Sequence, residues 1–130
     1  MTRNDKEYLF HLLQDIYFDN IDTAKADEAA EAMHSDVRWV HNQVWEHDAH
    51  KTNIRDTFNG RKEVREFLRK RVIEMQIEGI IHKVENVVSD GKLGAFKANV
   101  IGTDKSKKPF FGLVELKDNK IIYYRVLPQE

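Results

Sequence analysis

The chain has 130 residues, with 21 Lys and Arg against 22 Asp and Glu, so its formal net charge is −1 at neutral pH. This balance argues against nucleic acid or an anionic membrane as a partner. Cysteine is absent, which excludes disulfides, thiol nucleophiles and cysteine zinc sites. An apolar share of 41% is enough for one folded domain over residues 1–130. With no apolar run of membrane-spanning length and no signal-peptide pattern, the sequence predicts a cytoplasmic protein.

Two helical patterns open the chain. Residues 5–20 carry apolar side chains at helical spacing, which predicts an amphipathic first helix. These side chains are Leu9, Leu12, Leu13, Ile16 and Tyr17. Residues 24–33 are rich in alanine and follow the cap-type residues Asp22 and Thr23, so they predict a short second helix.

The next segment, residues 36–42, alternates in character and predicts a strand. Side chains two apart share a face of a strand, so Val37, Trp39 and His41 point the same way. One strand face therefore carries a large aromatic ring beside an imidazole. We expect this face to line a pocket.

The mostly polar residues 43–59 predict a loop or a short excursion over the pocket mouth. Three ring side chains lie early in it: Trp45, His47 and His50. With His41 and Asp48, the two loop histidines suggest a metal site. However, five and then two residues separate the three histidines, and this matches no standard zinc pattern. The sequence therefore predicts no metal.

The second half begins with a long helix and continues as sheet. Residues 61–78 follow Gly60 and carry an apolar stripe at spacings of three and four. The stripe consists of Val64, Phe67, Leu68, Val72 and Met75. Four predicted strands then follow, separated by polar turns such as Asp90-Gly91. Their ranges are 80–89, 93–103, 109–116 and 121–127.

Helices and strands that are segregated along a chain are typical of an α+β fold. We expect a strongly curved antiparallel sheet that packs on one long and two shorter helices. Such a sheet closing on a long helix makes a cone with an interior.

The order and spacing of several segments resemble the nuclear transport factor 2-like superfamily. Its members include the ketosteroid isomerases, the SnoaL-like polyketide cyclases and scytalone dehydratase. The resemblance covers nearly the whole chain, from about residue 8 to residue 127. It is carried by Tyr17 and by residues 31–39, 58–67, 87–91 and 116–122. It implies a cone-shaped fold with a pocket for a small molecule, although this fold hosts many chemistries.

The resemblance also implies residue roles. Tyr17 falls where ketosteroid isomerases place the tyrosine that donates a hydrogen bond to the substrate oxyanion. Their aspartate general base falls on His41, and their second oxyanion donor falls at about Gly112. Histidine in the base role is closer to scytalone dehydratase and the SnoaL-like cyclases, which the resemblance suggests use histidine or aspartate for acid–base chemistry.

His41 and Tyr17 are therefore the candidate catalytic pair. An imidazole titrates near neutrality and exchanges protons at little cost. A phenol beside it can stabilise an oxyanion. The alternative is that His41 only hydrogen-bonds a loop carbonyl at the pocket mouth.

Six side chains are candidate ligand contacts. They are Trp39, Trp45, Phe67, Asn99, Val114 and Tyr124. The two tryptophans could form flat walls for a ring-shaped ligand. Strand parity places Val114 with Gly112 and Leu116, and Tyr124 with Ile122 and Val126, on the expected inner face. The alternative for the set is core packing without a cavity, and for Asn99 a solvent-facing amide.

The outer sheet face predicts self-association. Four large side chains are expected to point outward: Phe111, Leu113, Ile121 and Tyr123. A solvent-facing sheet normally carries fewer large apolar groups, and resembling proteins often pair through this side. The sequence thus predicts a homodimer.

Two functions remain open at this point. The first is a cofactor-independent lyase or isomerase that transfers protons on an apolar, cyclic substrate. The second is a non-catalytic ligand-binding or dimeric interaction module of the same fold.

Overall fold

The N-terminal helix, α1, spans residues 5–22 in a computed structural model that describes residues 4–42 and 55–129. Its ends, Asp5–Phe10 and Asp19–Asp22, are α-helical, and its middle, His11–Phe18, is π-helical. The Asn4 side chain caps it by accepting the backbone N–H of Glu7 at 3.1 Å. The second helix, α2, spans only Ala26–Ala30, because the chain is already extended from Met33 onward.

Six strands form one sheet in the order β2-β1-β6-β5-β4-β3. Their bounds are Met33–Asn42 for β1, Arg55–Asn59 for β2, Ile81–Ser89 for β3, Leu93–Ile101 for β4, Lys107–Lys117 for β5 and Lys120–Pro128 for β6. Strands β3 to β6 form the predicted antiparallel meander. Strand β1 joins it by parallel pairing with β6. The sheet is curved and unclosed, so the predicted α+β class is confirmed.

Strand β2 corrects the prediction of a loop or short excursion for residues 55–59, while residues 43–54 lie outside the described part of the chain. It pairs antiparallel with β1 and forms one edge of the sheet. Only Phe58 is a large apolar residue in it, and it pairs with Trp39. A short, polar edge strand lacks the hydrophobic alternation on which strand prediction depends.

The long helix, α3, spans Arg61–Glu78, and the predicted range is confirmed. Gly60 precedes it with a φ of 91°, and Gly79 ends it in the left-handed region with a φ of 70°. The Gly79 N–H donates to the carbonyl of Met75 at 2.8 Å, which is the usual way a glycine satisfies the end of a helix. The buried side of α3 packs against α2 and β1. Among the described residues, no helix is long and apolar enough to cross a membrane.

A bulge in β6 corrects the predicted orientation of Ile121. Leu116 pairs with Ile121, but Glu115 pairs with Tyr123, so Ile122 is an extra residue on one strand. An extra residue reverses the inside–outside parity of the strand on one side of it. As a result Ile121 is fully buried in the core rather than outward.

The core lies between the helices and the inner face of the sheet. Its largest fully buried side chains are aromatic: Trp39, Tyr17, Tyr124 and Phe110. These rings come from α1 and from three different strands. They surround the site described next.

Candidate functional site

A small cavity lies within the core, with walls from α1, α3 and five strands. Its volume is about 40 Å³. Five of its lining side chains are polar: Tyr17, His41, Arg71, His82 and Tyr124. Space of this size admits a few water molecules, whereas a pocket for a drug-sized ligand has roughly 300 Å³ or more. The site is a small, mostly apolar niche in an aromatic core, with five polar side chains in its wall.

Trp39 connects the two members of the predicted catalytic pair. Its ring stacks with that of His41 at a centroid distance of 5.2 Å and an interplanar angle of 12°. It also stacks with Tyr124 at 5.8 Å and 8°. On its polar edge, the Trp39 Nε1–H donates to the hydroxyl oxygen of Tyr17 at 3.1 Å. The strand face that carries Trp39 and His41 therefore does face the cavity.

The Tyr17 hydroxyl is buried and keeps its proton. Burial raises its pKa above the ordinary value, and hydrogen bonds with Trp39 and Tyr124 oppose the shift without cancelling it. The pKa of Tyr124 is raised as well, by burial first and then by Tyr17. The Tyr17 oxygen accepts from Trp39, and the Tyr124 hydroxyl is its second hydrogen-bond partner.

The structure brings most, but not all, of the predicted site residues together. Five of them line the one cavity: Tyr17, Trp39, His41, Phe67 and Tyr124. Val114 is buried in the core beside Gly94 and does not line the cavity. The amide of Asn99 donates to the Glu85 carboxylate, on the opposite face of the sheet from its neighbours Ala98 and Val100. Trp45 lies outside the described residues, as do His47, Asp48 and His50.

Sequence reasoning missed an Asp–His pair in the cavity wall. His82, at the start of β3, lines the cavity, and its Nδ1 lies 2.6 Å from Oδ1 of Asp22. The other carboxylate oxygen of Asp22 accepts the backbone N–H of His82 at 2.8 Å. The residues are 60 positions apart, so no local pattern could have joined them. The only signal in the sequence was His82 itself, a histidine near the start of a predicted strand.

Arg71 is a second polar group that the sequence did not predict for the site. It lies on the buried side of α3, is 3% exposed and lines the cavity. Its Nη1 pairs with the carboxylate of Glu74, one turn later on the same helix. A buried guanidinium needs such a partner, since an unpaired buried charge is very costly.

The described residues offer no cluster of three or more His, Asp or Glu side chains placed to hold a metal ion. His41 belongs to no such group among them. The polar groups that line the cavity are two phenols, two imidazoles and one guanidinium paired with a carboxylate. This is a set suited to proton transfer and hydrogen bonding.

No family model and no curated protein matches the chain, but solved structures match over nearly its full length. A putative ketosteroid isomerase from Kribbella flavida is 20% identical, with a TM-score of 0.66 over 97% of this chain and 81% of the other. An epoxide hydrolase from M. tuberculosis, described as LEH-like, is 15% identical, with a TM-score of 0.65 over 97% and 86%.

A third match, from Mesorhizobium loti, is described as an NTF2-like protein of unknown function. It is 11% identical, with a TM-score of 0.65 over 100% of this chain and 98% of the other. The chain has the nuclear transport factor 2-like fold. Identities this low establish the fold alone, so the activity must be argued from the site.

One position sets this example of the nuclear transport factor 2-like fold apart from the ketosteroid isomerase pattern. Gly112, where resemblance places the second oxyanion donor, is buried on β5. A Cβ atom added there would lie 2.1 Å from Cε1 of Phe96. The Phe96 ring thus occupies the space that a side chain at position 112 would need. The second donor of that pattern is therefore missing at this position.

Proposed function

We propose that this protein binds a small, mainly apolar carbonyl compound in its core cavity and transfers a proton on it, as a lyase or isomerase. The observation that carries the proposal is that His41 and Tyr17 line the same cavity. In addition, the raised pKa of Tyr17 keeps it a hydrogen-bond donor at neutral pH. A base and a donor that share one largely apolar cavity are the minimum for forming and holding an enolate.

In this mechanism His41 removes a proton from the carbon next to the carbonyl. The electron pair of that C–H bond moves into a carbon–carbon double bond, and the carbonyl oxygen becomes an oxyanion. Tyr17 donates its hydroxyl proton to that oxygen in a hydrogen bond. Trp39, Phe67 and Tyr124 supply flat apolar walls. The chemistry needs no cofactor.

The size of the cavity restricts the substrate. A volume of about 40 Å³ does not hold a steroid or a polyphenol without movement of the walls. Small cyclic ketones such as cyclopentanone need the least movement of the cavity walls. We therefore place the substrate at the small end of the cyclic carbonyl compounds.

The matched proteins support an enzymatic role for this fold. Two of them are described by a reaction, one as a putative ketosteroid isomerase and one as an epoxide hydrolase. The fold is therefore compatible with catalysis, and the choice of reaction rests on Tyr17 and His41.

Hydrogen–deuterium exchange tests the proposal directly. Cyclopentanone, cyclohexanone and their enones are incubated with the protein in D₂O, and exchange of the protons next to the carbonyl is followed by NMR. We expect catalysed exchange by the wild-type protein, reduced about 100-fold or more in His41→Gln and in Tyr17→Phe. His11→Gln is the control, because His11 is an exposed histidine paired with Asp15 outside the cavity. Exchange unchanged in His41→Gln would remove His41 from the mechanism.

A second candidate function is favoured by the outer face of the sheet. Phe111, Leu113 and Leu127 are 46%, 55% and 40% exposed on adjacent strands. They line an apolar groove of about 270 Å³. Exposed apolar surface of this kind marks interaction sites. A domain that serves mainly as a dimeric interaction module, with or without a bound ligand, would show association but no exchange of ketone protons.

A further inference from the structure

The cavity contains a second imidazole whose surroundings differ from those of His41. His82 is 8% exposed, and its ring is stacked on Phe18 at a centroid distance of 5.1 Å. Phe110 contacts it edge to face at 6.3 Å. All three rings line the cavity. His82 is therefore held in one orientation by aromatic packing as well as by hydrogen bonds.

Asp22 fixes which nitrogen of His82 carries the proton. Both carboxylate oxygens are engaged: Oδ2 accepts the backbone N–H of His82 at 2.8 Å, and Oδ1 lies 2.6 Å from Nδ1. A carboxylate only accepts, so Nδ1 must be the donor. The neutral ring then carries its proton on Nδ1 and leaves the lone pair on Nε2.

The lone pair on Nε2 is directed away from Asp22. Within residues 4–42 and 55–129, the structure gives this atom no protein hydrogen-bond partner. Because the ring lines the cavity, Nε2 is the atom left to meet whatever occupies the space. A base held by a buried carboxylate is also well suited to carry a proton, since the carboxylate stabilises the imidazolium that forms.

A structural role explains part of this arrangement. The Gln14 side chain donates to the His82 carbonyl at 3.0 Å and accepts the Val84 N–H at 2.7 Å. Together with Asp22 it attaches the start of β3 to α1. That attachment uses the backbone of His82 and its Nδ1. It does not require an imidazole whose other nitrogen faces the cavity.

We propose that His82, positioned by Asp22, is a second proton-transfer group in this cavity. In a β,γ-unsaturated ketone, His41 takes the proton next to the carbonyl, and the C–H electron pair forms a dienolate beside Tyr17. Nε2 of His82, which has taken a proton from water, gives that proton to the far carbon of the dienolate, and His41 releases its own proton to water. The sum is an isomerisation that consumes no other reactant. This inference rests on the proposed function and names a further residue for it.

Two variants separate proton transfer from attachment. In His82→Asn, the amide nitrogen takes the place of Nδ1 and still donates to Asp22, but the nitrogen facing the cavity is gone. In Asp22→Asn, the backbone N–H of His82 still needs an oxygen, so the amide NH₂ turns to Nδ1. The ring must then accept at Nδ1 and carry its proton on Nε2, where it no longer acts as a base.

The tautomers are measured by long-range ¹H–¹⁵N NMR, and the chemistry by isomerisation of cyclohex-3-enone to cyclohex-2-enone. We expect a bare Nε2 in the wild-type protein and a protonated Nε2 in Asp22→Asn. Isomerisation should fall about 100-fold in both variants, whereas exchange of the cyclopentanone protons, which needs only His41, should remain, and thermal unfolding shows that both variants remain folded. His11→Gln should match the wild type.

Other results would contradict either this inference or the proposed function. A wild-type His82 protonated on Nε2, or isomerisation that persists in His82→Asn, would overturn this inference alone. Catalysed exchange would still be the work of His41. No exchange by the wild-type protein with any ketone would overturn both this inference and the proposed function.

Discussion

At the scale of one residue, the Tyr17 hydroxyl group contributes both to the stability of the core and to the proposed chemistry. Its oxygen accepts from the buried indole N–H of Trp39. Burial also raises its pKa, so the native state holds the phenolic proton more tightly than the unfolded chain does. These two facts make separate predictions at neutral and at alkaline pH.

At neutral pH, Tyr17→Phe should lower the free energy of unfolding by roughly 1–3 kcal/mol, because the Trp39 N–H loses its acceptor inside the core. Urea unfolding measures this loss. Tyr8→Phe is the matched control, since the Tyr8 hydroxyl donates to the Asn119 carbonyl at the exposed surface. A loss in Tyr17→Phe no larger than that in Tyr8→Phe would show that the buried bond contributes little.

At alkaline pH, the sign follows from the direction of the Tyr17 shift. The unfolded chain releases the phenolic proton near pH 10, whereas the native state retains it to higher pH. The stabilisation is therefore complete below about pH 10 and is lost as the pH rises above it. Tyr17→Phe should show a shallower loss of stability above pH 10 than the wild type. Equal slopes in urea unfolding at pH 9 to 11 would contradict this.

The sequence predicted individual site residues where they share a strand face or a recognised pattern. Trp39 and His41 are two apart on β1, so strand parity places them together. Asp22 and His82 meet only because β3 folds back on the end of α1. The orientation of Asn99 was not predictable, since a mid-strand amide can face either side and its partner Glu85 lies in a bulge of β3.

At the scale of elements, helix α3 was predictable and the sheet edges were not. Its apolar stripe and its flanking glycines, Gly60 and Gly79, fix both ends locally. Strand β2 carries little hydrophobic signal, and its position depends on pairing with β1. The bulge at Ile122 has no local signature either. It arises from the register between β5 and β6, which is a property of two strands.

The pairing of β4 with β5 depends on a glycine. Phe96 lies opposite Gly112, and its ring covers the glycine where a side chain would project. Gly112→Ala should therefore destabilise the protein by roughly 1–3 kcal/mol through overpacking of the core. Chemical denaturation measures this change.

A smaller side chain at position 96 should relieve the overpacking caused by Gly112→Ala. In a Phe96→Leu background, adding Gly112→Ala should cost clearly less than it does in the wild type, because the two positions are coupled through one contact. Equal costs in the two backgrounds would mean that the strain arises elsewhere in the strand. The double-mutant cycle thus tests the packing and not merely the importance of the glycine.

At the scale of the whole molecule, the curved sheet on helices follows from the segregated order of the elements. The volume of the interior does not. Whether a cone is hollow depends on how far rings such as Trp39, Tyr124 and Phe110 fill it. Here they reduce the cavity to about 40 Å³. Sequence patterns place residues on the inner face, but they do not determine the space that those residues leave.

The outer face of the same sheet makes the last prediction. Phe111, Leu113 and Leu127 form an exposed apolar surface across β5 and β6, and pairing of two such faces would remove it from water. We expect a homodimer by light scattering at micromolar concentration, and a monomer for Leu113→Glu because a buried charge there is costly. Ile77→Glu is the control, since Ile77 is equally apolar and 81% exposed but lies on α3. A monomeric wild type, or dissociation of both variants alike, would rule out pairing through the sheet.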